Sequence, residues 1–199
     1  MTYSVIDLKC PGCGEPVKTD QKCCKFCGRE IVISSFNSVY DMTAQELNKY
    51  ANTYKKALNE HPENAELSAS IGMCYLKLKL YDKAYENFEK AIEEDFDNSE
   101  VFFYAAISLL KGKKAFLATK TIIDKAIELV NAAIMIENRG IYFYFLSYLK
   151  YDFYSRKSLN AFPSFEEELI NARNNSVTSS DIHKLFELLC VTIPEPMII

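Results

Sequence analysis

The sequence predicts a mainly α-helical chain, with short antiparallel helical hairpins forming a short solenoid behind a small N-terminal β module that a metal holds together. Three observations predict it. Four of the seven cysteines fall in two Cys-x-x-Cys pairs within the first thirty residues. From Thr43 onward, apolar residues recur with helical spacing in short pieces bounded by caps and breakers. Several classes of position repeat at an offset of 34 residues, as they do in stacked helical hairpins.

The β module comes first. In Cys10-Pro11-Gly12-Cys13 and Cys24-Lys25-Phe26-Cys27, two intervening residues let a tight turn bring both sulfurs to one tetrahedral ion. Gly14 and Gly28 follow the second thiol of each pair, where the backbone must turn its amides toward sulfur. Two such pairs, joined by a ten-residue spacer able to form a hairpin, have the arrangement of a zinc ribbon and are more specific than either pair alone. Cys23 adjoins Cys24, but only Cys24 leaves a two-residue gap to Cys27, so the expected ligands are Cys10, Cys13, Cys24 and Cys27. Four thiolates leave no open position for water or substrate, and the expected cofactor is one structural Zn2+. A module of about thirty residues buries too little apolar area to offset its chain entropy, so the metal would supply much of its folding free energy. Two disulfides are a rival reading, opposed by the odd cysteine count and by a start, Met1 to Lys9, without a signal-peptide pattern; a reducing cytoplasm is the expected compartment. A rubredoxin-like iron centre is a second rival, opposed by a spacer that lacks an aromatic shell.

Charge narrows the function classes. The chain of 199 residues carries a formal net charge of −4, and four thiolates with one Zn2+ would take it to about −6. Between Met1 and Ile33, Lys9, Lys18, Lys22, Lys25 and Arg29 face Asp7, Glu15, Asp20 and Glu30, so a metallated ribbon is slightly acidic, which argues against nucleic acid. No apolar run approaches the roughly twenty residues of a membrane span, and no lipid-anchor motif is present, so no membrane partner is expected.

The domain plan is a ribbon over 1–36, a linker over 37–43 and a helical domain over 44–199. Ile31 to Ile33 read as strand, within Glu30 to Phe36. Thr43 with Glu46 forms a capping-box pattern that opens a helix to about Glu60. Further helices read from Ala65 to Leu78, from Asp82 as N-cap to about Glu93, from Ser99 to Lys111 before the break at Gly112, and from Lys114 to about Val130. Ile141 to Tyr154 is aromatic on every face and reads as a helix buried on most sides. Ser164 with Glu167 caps a helix ending near Asn174, a last helix spans Asp181 to Cys190, and the tail Val191 to Ile199 reads as extended.

The offset of 34 maps Gly72 onto Ala106 and Gly140, Ala84 onto Ala118, Tyr54 onto Phe88 and Ile122, and Tyr75 onto Leu109 and Phe143. Small residues let the helices of a hairpin approach, and large ones fill the space beside them. The run Ile71-Gly72-x-x-Tyr75, followed by Ala84-x-x-x-Phe88-x-x-Ala91, resembles the tetratricopeptide repeat family over Ala65 to Phe96, with partial units on either side and degenerate C-terminal helices. Ser68 and Phe96 depart from the family pattern, and Lys125 falls where an alanine is expected. The resemblance implies peptide binding in a groove lined by the first helix of each pair, here Ala69, Met73 and Lys77 with Phe103, Ile107 and Lys111. The family's carboxylate-clamping set of lysines and asparagines is missing, so an apolar segment, from a partner or from the chain's own tail, is the expected occupant.

Catalytic signals are weak. His61 and His183 have no evident partner, Cys74 and Cys190 sit in apolar helical patterns as buried small hydrophobes, and Glu166 to Glu168 lie in a helix's first turn, where the macrodipole favours them. The expected function is a non-enzymatic protein-interaction or scaffold protein with a protein or peptide partner. Nucleic-acid binding through the ribbon and thiol redox chemistry at the Cys-x-x-Cys pairs are the alternatives. Removal of the metal is expected to unfold the ribbon alone.

Overall fold

The computed structural model describes residues 5–198. Met1–Ser4, where the expected ribbon begins, and Ile199, the end of the expected tail, lie outside the described residues. The chain divides into two compact units, Met1–Phe96 and Asp97–Ile199.

The first unit begins with a two-stranded antiparallel sheet, β1 (Asp7–Lys9) and β2 (Pro16–Lys18), with Leu8 opposite Val17. The segment expected as strand and linker differs from that reading. Residues 31–36 form no ladder, and α1 (Asn37–Tyr40) follows. Ile31, Ile33, Phe36 and Val39 are buried, and the carbonyls of this stretch accept hydrogen bonds from helical side chains instead of from a neighbouring strand. Tyr50 donates to the Glu30 carbonyl at 3.2 Å, Tyr54 to Ile31 at 2.8 Å, and Ser70 to Ile33 at 2.9 Å.

Those donors lie on α2 (Ala44–Leu58) and α3 (Ala65–Lys77), and α4 (Tyr81–Glu94) completes the unit. Thr43 and Glu46 make the full capping box at the start of α2. Asn64 caps α3, accepting from the Leu67 amide. The N-cap of α4 is Leu80 rather than Asp82, because Lys79 takes a positive φ of 59° and the Leu80 amide closes back on the Tyr75 carbonyl at 2.9 Å. Asp82 falls in the first turn, where its charge meets the helix dipole. The stripe Ala84, Phe88 and Ala91 packs α4 on α3. Gly72 makes that possible, since a Cβ there would stand 2.5 Å from the Phe88 ring.

The second unit holds α5 (Ser99–Leu109), α6 (Lys120–Ile136), α7 (Gly140–Leu149), α8 (Phe165–Asn174) and α9 (Ser179–Leu189). The helix expected from Lys114 starts later, since Ala115–Leu117 forms a 3-10 turn and Thr119 caps α6. This longer connection breaks the register of 34. Ala118 lies outside any helix, and the small-large-small stripe reappears as Ala126, Val130 and Ala133, all fully buried and 42 residues after Ala84, Phe88 and Ala91. Likewise α7 begins 41 residues after α5, so buried Ser147, not Gly140, follows Ala106 at the helix-to-helix spacing. Gly140 instead permits a close approach of the chain, because a Cβ there would meet the backbone at Val177 and Asn175 at 2.5–2.6 Å.

The aromatic helix α7 is central to its unit, with Tyr142, Tyr144, Phe145 and Tyr148 buried, and it runs on as one π-helical turn, Lys150–Tyr154. Buried Lys150 pairs with buried Glu168 of α8 at 2.6 Å, a partner the first-turn reading of Glu166 to Glu168 missed. The tail is not extended throughout: Glu195–Met197 forms a 3-10 turn, buried Met197 accepts the Tyr144 hydroxyl at its carbonyl, and the Ser147 hydroxyl lies 3.7 Å from its sulfur.

Gly72→Ala tests the α3–α4 packing. Overpacking of about 1–3 kcal/mol is set against about 1 kcal/mol of helix propensity gained, so the urea midpoint is expected to fall. In a Phe88→Leu background the same substitution is expected to cost less or to stabilise. An equal cost in both backgrounds contradicts the contact.

Candidate metal centre and helical surface

The two cysteine pairs form matching turns. The Gly14 amide donates to the Cys10 carbonyl and the Gly28 amide to the Cys24 carbonyl, both at 2.9 Å; the Cys10 and Cys24 amides donate to Glu15 and Arg29 at 2.7 and 2.8 Å. Gly14 and Gly28 have φ of 89° and 72°, which favours glycine at both places. The sulfurs of Cys10, Cys13, Cys24 and Cys27 all lie within 4.8 Å of one another. Cys10 and Cys27 are 3.6 Å apart, and Cys13 and Cys24 are 3.7 Å apart. A tetrahedron with metal–sulfur bonds of about 2.3 Å has edges of about 3.8 Å, whereas a disulfide needs about 2.05 Å. The set therefore fits a tetrahedral metal, and all seven cysteines are free thiols. Exposed Cys23 bridges to Glu30 through its backbone and is not part of the four-sulfur group.

The electrostatics agree with a cation-binding set. Backbone amides of Cys27 and Phe26 donate toward Cys24 and bring its thiol down to about 7. At Cys13 a backbone hydrogen bond at Glu15 pulls the value down, but desolvation and the three neighbouring thiols push it up to about 12. Four sulfurs this close cannot all ionise without a positive charge among them.

Side chains from α2 hold the module. Lys49 donates to the Gly12 carbonyl at 2.5 Å, and Arg29 pairs at 2.6 Å with Glu46, the residue that also closes the α2 capping box. The Thr43 hydrogen bonds, then Arg29, hold the Glu46 carboxyl down to about 2.

The expected groove residues are placed as follows. Ala69 and Met73 on α3 and Phe103 and Ile107 on α5 are buried, with Phe103 packed against the rings of Tyr104, Tyr142 and Phe145. Lys77 lies over the Tyr40 ring at 4.3 Å, and α1 packs on α3, so residues 33–40 lie along the α3 face that carries Ser70 and Lys77. Lys111 is exposed and has a positive φ of 50° at the end of α5. The tail packs on α7. Sequence reasoning missed the role of residues 30–39; the one available signal was the apolar alternation Ile31, Ile33 beside tyrosines at Tyr50 and Tyr54, four apart on one helix face.

The other candidate residues are placed as follows. His61 pairs with Glu63 at 3.8 Å, and His183 Nδ1 lies 2.7 Å from the Ser179 carbonyl. Burial raises the Cys74 thiol to about 12. Cys190, expected to be buried, is exposed, because it takes the left-handed C-cap position of α9.

The tetratricopeptide repeat family matches residues 51–111, which run from α2 through the end of α5. A stretch of 60 residues is 37% identical to BBSome complex member BBS4 of Bos taurus, covering 30% of this chain and only 12% of that protein's length. A crystal structure of MamA protein is similar in fold, with a TM-score of 0.51 and 18% identity over 72% of this chain and 74% of that one. A second MamA crystal structure has a TM-score of 0.49 and 18% identity over 79% and 76% of the two chains. No described helix is long and apolar enough to cross a membrane.

Purified protein is expected to hold one metal ion per chain by emission spectroscopy, lost on single serine substitution of Cys10, Cys13, Cys24 or Cys27 and kept by Cys23→Ser. Loss in Cys23→Ser with retention in Cys24→Ser would show the ligand set to be wrong.

Proposed function

We propose that this chain is a non-enzymatic, cytoplasmic protein-interaction or scaffold module, in which one structural zinc ion bound by Cys10, Cys13, Cys24 and Cys27 stabilises the N-terminal end of a set of tetratricopeptide-like hairpins. The observation that carries the reading is the repeat match over residues 51–111 on helices that pack as hairpins. Zinc is chosen over iron because four thiolates in a closed tetrahedron form a common structural zinc site, and Phe26, the aromatic residue within the second knuckle, is 76% exposed rather than packed over the sulfurs. The partner is a protein or peptide. Its proposed contact surface lies within the first unit, on α3 at Lys77 and along residues 33–40, with Ala69 and Met73 buried on the same helix.

Affinity capture from native lysate, followed by calorimetry on the captured segment at two salt concentrations, tests this. Binding that Lys77→Glu weakens, and that salt changes little, is expected. Tight, salt-sensitive binding of an acidic C-terminal peptide, abolished by Lys77→Ala, would contradict it.

A further inference from the structure

The connection between α5 and α6 carries Lys111, Lys113, Lys114 and Lys120 with no acidic residue among 111–120. Two contacts pin it to the end of α7: the Ala115 amide donates to the Tyr148 hydroxyl at 3.3 Å, and the Phe116 amide to buried Asp152 at 2.7 Å. The same π-helical end brings two further cations. Arg156 pairs with Asp152 at 2.5 Å and lies over the Phe116 ring at 4.5 Å, while Lys157 lies over that ring at 5.0 Å. Lys120 joins through Asp124, which it binds at 2.6 Å and which also accepts the Tyr154 hydroxyl. Lys114 and Arg156 together line an open cavity of about 310 Å3, with Glu195 also on its wall. Six cations thus lie on this connection or are set beside it, with Asp124, Asp152 and Glu195 as the carboxylates in contact with them or lining the same cavity, on a chain whose net charge is −4. At the tip of the pinned turn, Leu117 is 69% exposed.

We propose that this face docks the chain on an anionic lipid surface, with the lysines against headgroup phosphates and carboxylates and Leu117 entering the interface. The proposal is independent of the partner reading above. Local charge of this size is what polybasic membrane-surface segments use. The exposed leucine, held by backbone hydrogen bonds in the midst of the cations, favours lipid over a soluble polyanion, which offers no apolar phase to receive it. The expectation of no membrane partner rested on spanning segments and lipid-anchor motifs; the patch emerges only when the fold sets residues 114–120 beside residues 156 and 157, some forty positions away.

The test is co-sedimentation of the full chain with phosphatidylcholine vesicles, with and without phosphatidylserine, at low and high sodium chloride. Binding is expected only to the anionic vesicles and is expected to fall with salt. Each Lys→Gln change is expected to weaken binding about fivefold, so the triple variant Lys113→Gln, Lys114→Gln, Lys120→Gln loses about a hundredfold, with an unchanged circular-dichroism melt showing that it still folds. Leu117→Ser is expected to weaken vesicle binding and leave retention on heparin unchanged. Equal binding to neutral vesicles, wild-type binding by the triple variant, or an unaffected Leu117→Ser variant would overturn the proposal. Lysine-dependent binding to heparin or RNA with none to vesicles would assign the face to a soluble polyanion instead.

Discussion

Three hydroxyls from helices, those of Tyr50, Tyr54 and Ser70, hold the backbone that leaves the cysteine module, and the first unit is organised by that contact. The carbonyls of Ile31 and Ile33 are drawn out of water, and that of Glu30 partly so, as Ile31, Ile33, Phe36 and Val39 bury on the helices. Without those hydroxyls each buried carbonyl costs about 1–3 kcal/mol, comparable to the gain of about 1.5–3 kcal/mol from burying one of the apolar side chains beside it. Burial and hydrogen bonding therefore stand or fall together. Tyr50 and Tyr54 meet edge to face at 5.9 Å, which fixes both hydroxyls in place, and burial drives the Tyr54 hydroxyl well above its ordinary pKa.

This arrangement gives the cysteine cluster a purpose beyond its own fold. Lys49 reaches the first knuckle at Gly12, Arg29 beside the second reaches Glu46, and Glu46 is at once a salt-bridge partner and the closing residue of the α2 cap. Metal binding that fixes the knuckles would therefore also fix the start of α2 and the cover along α3. The module and the first hairpins fall within one compact unit, and we propose that the module acts as an end cap for those hairpins, although the sequence suggested a ribbon that unfolds alone.

Local chemistry was legible in the sequence where it is written within a few residues. The cysteine spacing, the capping boxes at Thr43 with Glu46 and Ser164 with Glu167, and the step of 34 residues from α3 to α5 all depend on neighbours along the chain. The features that differed depend on distant partners. Residues 31–36 carry strand-forming residues, yet the hydroxyls that satisfy them lie up to 37 positions away. The stripe of α6 was misplaced because the pinned turn Ala115–Leu117 lengthens the connection, and a fixed offset cannot anticipate an insertion. In α7 the aromatic content announced burial, but not the π-helical end that turns Lys150 onto Glu168 and Asp152 onto Arg156.

Amide hydrogen exchange on the metal-loaded and chelated protein tests most directly whether the module and the first hairpins are one structure. Chelation is expected to raise exchange at Cys10, Gly14, Cys24 and Gly28 and, in the same step, along α2 and α3, and Tyr54→Phe is expected to weaken this coupling while metal content stays the same. Exchange confined to the cysteine turns, with α2 and α3 as protected after chelation as before, would contradict it.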